Sequence, residues 1–204
     1  MLSNKGFDLW ADGYDKSVGL SDEDGTYPFA GYRAILNTIY NRVLNGGKTV
    51  LDIGFGTGTL TAKLYEQGCT IFGQDFSARM IELAQEKMPK ARLCQGDFAQ
   101  GLVSALQEQK YDAIIATYSI HHLTDVQKVD FLCSLLPLLN KDGCIYIGDV
   151  AFRTRVEYDA CRIACGDEWD DDEIYFVHEE MQQFFPQMTF EPMSFCAGLM
   201  TIKA

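Results

Sequence analysis

The stretch Val50-Leu51-Asp52-Ile53-Gly54-Phe55-Gly56-Thr57-Gly58 decides the fold, because it joins a buried strand to a helix start through three alternating glycines. Glycine is needed where backbone turns tightly or approaches a ligand too closely for a Cβ, and three at alternate positions leave one face of the loop bare. A bulky ligand is expected against that face. The dinucleotide fingerprint is spaced Gly-x-Gly-x-x-Gly, whereas this loop reads Gly-x-Gly-x-Gly and puts Thr59 where the third glycine of that fingerprint falls. A nicotinamide or flavin site therefore matches poorly. Asp52, two positions ahead of the first glycine, repels a pyrophosphate but tolerates or attracts a cationic ligand.

Outward from the loop, runs of Val, Ile, Phe and Tyr alternate with runs of helical period. This predicts an α/β fold, with helices on both faces of a mostly parallel, Rossmann-like sheet. Strands are expected at Thr70-Ile71-Phe72-Gly73-Gln74-Asp75, Ala91-Arg92-Leu93-Cys94-Gln95, Tyr111-Asp112-Ala113-Ile114-Ile115-Ala116 and residues 144–149. Thr57 or Thr59 opens the first core helix and Gly68 ends it, Ser77 caps the next before Pro89 stops it, and Thr124 or Asp125 caps another. Residues 29–44 read as an amphipathic helix. Residues 153–185 carry two helical patterns around Gly166-Asp167-Glu168-Trp169-Asp170-Asp171-Asp172-Glu173, a solvated acidic loop by composition. The final stretches, residues 188–195 and 198–203, alternate like an antiparallel hairpin.

Asp52-x-Gly54-x-Gly56-x-Gly58 after a hydrophobic strand resembles motif I of the class I S-adenosylmethionine-dependent methyltransferases. Three later segments agree in order, so the resemblance covers roughly residues 48–150 by motif. It implies a seven-stranded sheet with an antiparallel C-terminal hairpin and a cofactor, S-adenosylmethionine, that leaves as S-adenosylhomocysteine. It also implies that Asp75, ending the second strand, holds the ribose hydroxyls. Asp97 in Gly96-Asp97-Phe98 would then read the adenine amino group, with Phe76, Met80 and Phe98 on the adenine faces. The segment Thr117-Tyr118-Ser119-Ile120-His121-His122-Leu123 corresponds to the one beside the methyl group, where Thr117 joins the cofactor contacts. The opening Phe7-Asp8-Leu9-Trp10-Ala11-Asp12-Gly13-Tyr14-Asp15 resembles the Trp-Ala-x-x-Tyr-Asp start of many small-molecule methyltransferases, which puts Tyr14 over the methionine end. The expected organisation is one domain over residues 1–204. It comprises a helical cap at 1–47, a cofactor-binding core at 48–150, lid and substrate helices at 151–186 and a closing hairpin at 187–204.

Bulk properties agree with that expectation. The chain has 204 residues, 47% of them hydrophobic, enough for one domain with a sizeable core. A formal charge of −12 argues against nucleic acid as acceptor, since nonspecific affinity for phosphates comes from Lys and Arg. No basic, apolar leader or membrane span is read, and seven cysteines scattered through apolar patterns read as small buried residues rather than disulfides. A reducing cytoplasm is expected. Cys161 and Cys165 lie one helical turn apart, but no neighbouring Cys or His pair completes a metal spacing and His178 is isolated, so no metal is expected.

Several residues carry two readings. Asp75 alone could be a helix N-terminal charge, and Asp97 could cap the short helix containing Leu102 and Leu106. Phe76, Met80 and Phe98 could be plain core. His121 and His122 could serve as base, substrate ligand or backbone partner, and Asp149 could orient a substrate amine or be structural. The expected reaction is in-line displacement of the sulfonium methyl by a small-molecule acceptor, with His121, Tyr118 and Tyr14 lining the approach and Asp52 acting on the cofactor's ammonium. Two other readings stand beside it: a noncatalytic protein that binds the same cofactor, and a nicotinamide-dependent oxidoreductase. Tyr14, Tyr118, Trp169 and Tyr175 lean toward a small neutral or cationic acceptor.

Overall fold

A computed structural model describes residues 25–204, so Trp10, Tyr14 and most of the expected N-terminal cap lie outside the described residues. The sheet runs in the order β3-β2-β1-β4-β5-β8-β7. Its first five strands are parallel: β1 (Thr49–Ile53), β2 (Thr70–Asp75), β3 (Arg92–Gln95), β4 (Tyr111–Thr117) and β5 (Leu139–Phe152). β8 (Ala197–Lys203) runs antiparallel between β5 and β7 (Thr189–Pro192), which is the expected closing hairpin. A two-residue strand, β6 (Phe176–Val177), adds to the end of β5 off this path.

The central strands are hydrophobic on both faces because helices cover both. Val50, Leu51 and Ile53 of β1 are fully buried and divide between two core clusters. α1 (Tyr32–Leu44) presents Ile35, Leu36, Ile39 and Val43 to the first cluster. It lies so close to the sheet that a Cβ on Gly148 of β5 would fall 2.2 Å from Ile35 Cγ2. Gly31, left-handed at φ 84°, sets its start, slightly later than periodicity suggests. α2 (Thr59–Glu66) opens at Thr59, one of the two expected positions, after left-handed Gly58, which offers no side-chain cap; the Thr57 and Thr59 hydroxyls lie 3.2 Å apart. α3 (Ala78–Lys87) has the expected cap, Ser77 Oγ accepting from the Met80 N–H at 3.1 Å. α4 is the short Ser104–Gln107. α5 (Asp125–Leu135) and α6 (Arg155–Cys165) each open on a full capping box, Thr124 with Gln127 and Thr154 with Glu157. α7 (His178–Met181) follows β6 directly.

Two departures matter for the site. β5 extends well past the expected residues 144–149, because β8 pairs with it as far as Val150↔Ala197 and β6 at Ala151↔Phe176 and Phe152↔Val177. Asp149 therefore lies inside the strand rather than at its end. In the acidic segment, Asp167, Glu168 and Asp170 to Asp172 are exposed as expected, but Trp169 is buried and Glu173 turns inward. All seven cysteines are free; Cys69, Cys161 and Cys196 are buried. Among the described residues, no helix is long and apolar enough to cross a membrane.

Candidate active site

The site forms where the carboxyl ends of β1, β2 and β4 meet. Gly54 sits at φ 67° and donates its N–H to Gln74 O at 2.7 Å, which ties the loop to β2. A Cβ here would lie 2.4 Å from Ser119 Cβ, so the glycine lets the loop press against the turn after β4. Gly56, at φ 55°, has nothing within 4 Å of where a Cβ would stand. That is the bare face. The Gly56 N–H donates to Asp75 Oδ2 at 2.9 Å and the Ser77 N–H to Asp75 Oδ1 at 2.9 Å, so two backbone groups orient this carboxylate at the start of α3.

Around these residues lies a small, partly open cavity of about 50 Å³. Gly54, Gly56 and Asp75 line part of it, Phe76, Met80 and Phe98 supply apolar walls, and Tyr118, Ser119 and His122 complete it. A separate, solvent-facing concavity beside α6 holds none of the motif residues, and Arg162 and Asp171 on its wall pair at 2.6 Å.

Seven of the expected residues thus converge: Gly54, Gly56, Asp75, Phe76, Met80, Phe98 and Tyr118. Tyr14 is outside the described residues, and the others lie elsewhere. Gly58 begins α2, and a Cβ there would meet Met88 Cε at 3.0 Å, so the third glycine serves helix packing rather than the cavity. Asp97 is exposed and caps, accepting the Ala99 N–H at 2.8 Å; the capped element is the 3-10 turn Phe98–Gln100, not the helix with Leu106. Thr117 pairs with Gly148 at the end of β4 and is not on the wall. Asp52 is 2% exposed, and its Oδ1 has no hydrogen bond. Burial pushes its carboxyl up to about 8; Thr61 pulls the other way and Asp75 adds to the rise. Burial thus favours the protonated form of this carboxyl in the ligand-free protein.

Of the two histidines, His122 rather than His121 reaches the cavity wall. His121 Nδ1 lies 2.7 Å from Asp149 Oδ1, which also accepts the Val150 N–H at 2.8 Å. Asp149 thus orients an imidazole inside the protein. Burial opposes the charged form of His121, but the charge and hydrogen bond of Asp149, with Glu173, outweigh it and leave its pKa raised. Glu173 Oε2 lies 2.8 Å from His122 Nδ1 and 3.4 Å from His121 Nε2. Burial alone would raise the Glu173 pKa; the two imidazoles hold it below the usual range. The Ile174 N–H donates to His121 O at 2.9 Å, and buried Lys128 donates to Ile174 O and to Asp125 Oδ1, so the segment bearing Glu173 is fastened to the histidine turn. Burial lowers the Lys128 pKa, and its Nζ lies 4.4 Å from the centre of the Phe176 ring. Tyr118 holds φ 49°, an unusual conformation for a bulky residue, with Phe29 and Tyr32 packed against its ring at 5.1 and 5.3 Å.

Sequence reasoning missed Ser119 and Glu173. Ser119 had no signal beyond its position in the segment after β4, and Glu173 was averaged into an acidic run.

Residues 50–143 match the family described as a methyltransferase domain. An uncharacterised methyltransferase of Anoxybacillus flavithermus is 42% identical over 154 residues, 76% of this chain and 70% of that protein. In structure, a S-adenosylmethionine-dependent methyltransferase from Clostridium acetobutylicum aligns with TM-score 0.69 at 15% identity, covering 93% of this chain and 98% of that one. Magnesium protoporphyrin IX methyltransferase from Synechocystis, solved with S-adenosylhomocysteine, aligns with TM-score 0.65 at 15% identity over 86% and 84%. The chain belongs to the methyltransferase family, and it shares the fold of the S-adenosylmethionine-dependent methyltransferases to which it aligns.

Proposed function

We propose that the protein transfers the methyl group of S-adenosylmethionine to a small-molecule acceptor. The observation that carries this reading is the single cavity in which the bare face of Gly56, the backbone-held carboxylate of Asp75 and the apolar trio of Phe76, Met80 and Phe98 meet. Each part suits a piece of the cofactor. Asp75 offers carboxylate oxygens to hydroxyl donors such as a ribose diol, and the apolar trio suits the faces of a purine. Asp97 keeps the adenine amino contact through Oδ2, since Oδ1 takes the Ala99 N–H. Tyr14 is assigned to the methionine end and Thr117 to the cofactor's outer contacts. Binding of the ammonium draws the proton from Asp52, whose Oδ1 lacks any hydrogen bond.

When bound, S-adenosylmethionine supplies a methyl group already activated on a sulfonium. The chain's own work is to align the acceptor, exclude water and accept a proton where the nucleophile carries one. Tyr118 and Ser119 shape the approach, and His122 with the Asp149-held His121 stands behind them as base. The net charge of −12 supports a small neutral or cationic acceptor over nucleic acid.

Calorimetry with S-adenosylmethionine and S-adenosylhomocysteine, with NAD as control, tests the reading. Micromolar binding that weakens at least about tenfold, about 1.4 kcal/mol, in Asp75→Ala is expected. Folded, ligand-free protein that binds neither sulfur compound refutes it. Release of S-adenosylhomocysteine in an acceptor screen separates an enzyme from a noncatalytic binder.

A further inference from the structure

We infer that His121, His122 and Glu173 form a binding site for one borderline divalent transition-metal ion, of the Zn²⁺ or Fe²⁺ type, beside the cofactor cavity. The donor atoms of these three side chains lie within 4.8 Å of one another. A metal about 2.1 Å from each ligand separates neighbouring donors by roughly 3.0–3.5 Å. Of the two contacts of Glu173 Oε2, the 3.4 Å to His121 Nε2 falls in that range and the 2.8 Å to His122 Nδ1 just below it.

The hydrogen bonding gives an independent reason. With Nδ1 of His121 donating to Asp149, the neutral ring carries its lone pair on Nε2, facing a carboxylate oxygen. That lone pair is the one a metal ion would take. Glu173 Oε2 is buried and lies 2.8 Å from Nδ1 of His122. A cation between the three satisfies both the lone pair and the oxygen.

The surroundings are those of a built site. Asp149 on the far nitrogen of His121 fixes its tautomer and makes the ligating nitrogen more basic, the usual support behind a metal-bound histidine. The Ile174 N–H to His121 O bond and the Lys128 bond to Ile174 O fix the backbone between the donors. Two imidazoles and one carboxylate favour Zn²⁺, Fe²⁺ or Co²⁺ over Mg²⁺ or Ca²⁺, which prefer all-oxygen sets. His122 belongs both to this trio and to the cavity wall, so the ion lies where it can take an acceptor oxygen or sulfur as a further ligand. Such a ligand loses its proton more easily and becomes the better nucleophile.

The test is titration of chelator-treated protein with Zn²⁺ by calorimetry and with Co²⁺ by absorption. One equivalent should bind with micromolar affinity or tighter. Glu173→Gln should weaken binding at least about tenfold and Asp149→Asn by about 10- to 100-fold. Should Glu173→Gln fail to fold by circular dichroism, His122→Gln carries the same measurement. The free thiols are the competing site, since Cys161 and Cys165 Sγ lie 3.9 Å apart. Thiolate charge-transfer bands with Co²⁺, or binding lost in Cys161→Ser and kept in Glu173→Gln, overturn the inference, as does an absence of saturable binding. Binding of S-adenosylhomocysteine by the same metal-free sample, through Asp75, keeps a failure here separate from a failure of the methyltransferase reading.

Discussion

Asp52→Asn should make the ligand-free protein more stable relative to wild type as pH rises, in a window set by one carboxyl. Asp52 is 2% exposed, and its pKa stands at about 8 rather than its ordinary 3.8. Between these values the folded protein holds a proton that the unfolded chain has released. The unfolded state then binds fewer protons, so wild-type stability falls with rising pH across the window and levels off above it. At about 1.4 kcal/mol per pH unit the full interval corresponds to about 6 kcal/mol, a ceiling because water entry and relaxation reduce it. Asparagine does not titrate. Its amide stands where Oδ1 has no hydrogen bond, which adds a cost that is constant with pH. Urea unfolding of both proteins at several pH values between about 4 and 8 should show the difference moving by several kcal/mol in favour of the variant. Contributions of His121 and other groups common to both chains cancel in that difference. A difference constant within about 1 kcal/mol would show that Asp52 is ionised in the folded protein and refute the reasoning.

The two glycines of the cavity should respond differently. Gly54→Ala places a Cβ 2.4 Å from Ser119 Cβ at φ 67° and should cost about 2–4 kcal/mol in denaturant unfolding. Gly56→Ala enters open space, so it should cost only about 1 kcal/mol of backbone strain, yet weaken S-adenosylhomocysteine binding at least about tenfold by calorimetry. Thr124→Ala removes the capping box of α5 and should lower stability by about 1 kcal/mol while leaving that affinity unchanged. These three outcomes separate damage to the scaffold from damage to the site.

What was legible in the sequence is what local chemistry fixes. β2 runs from Thr70 to Asp75 as read, Ser77 caps α3, Gly68 takes a left-handed conformation after α2, and the last strands close as a hairpin. Each follows from alternation, a capping hydroxyl or a glycine beside its own element. The misses depended on partners distant in the chain. Asp149 was placed at a strand end because the extension of β5 is set by β8 and β6. Glu173 looked solvated among exposed acids, and only the bonds of Ile174 and Lys128 turn it toward the histidines. How deeply Asp52 is buried, 2% exposed, is likewise set by packing that no local pattern carries.

The register at Val150↔Ala197 has a bearing on how this protein diversifies. The chain leaves β5 after Phe152 and rejoins the sheet at Thr189 of β7, whose hairpin with β8 leads back beside β5, so the sheet clamps both ends of the intervening excursion, which carries α6, Glu173, β6 and α7. Doubling the length of such a closed segment costs only about 0.6 kcal/mol in entropy, provided its ends stay clamped. That part of the molecule is an exchangeable cassette. Insertions and replacements there can alter what the cavity admits while the glycine loop and Asp75 stay untouched, which makes it the natural place to graft a new specificity.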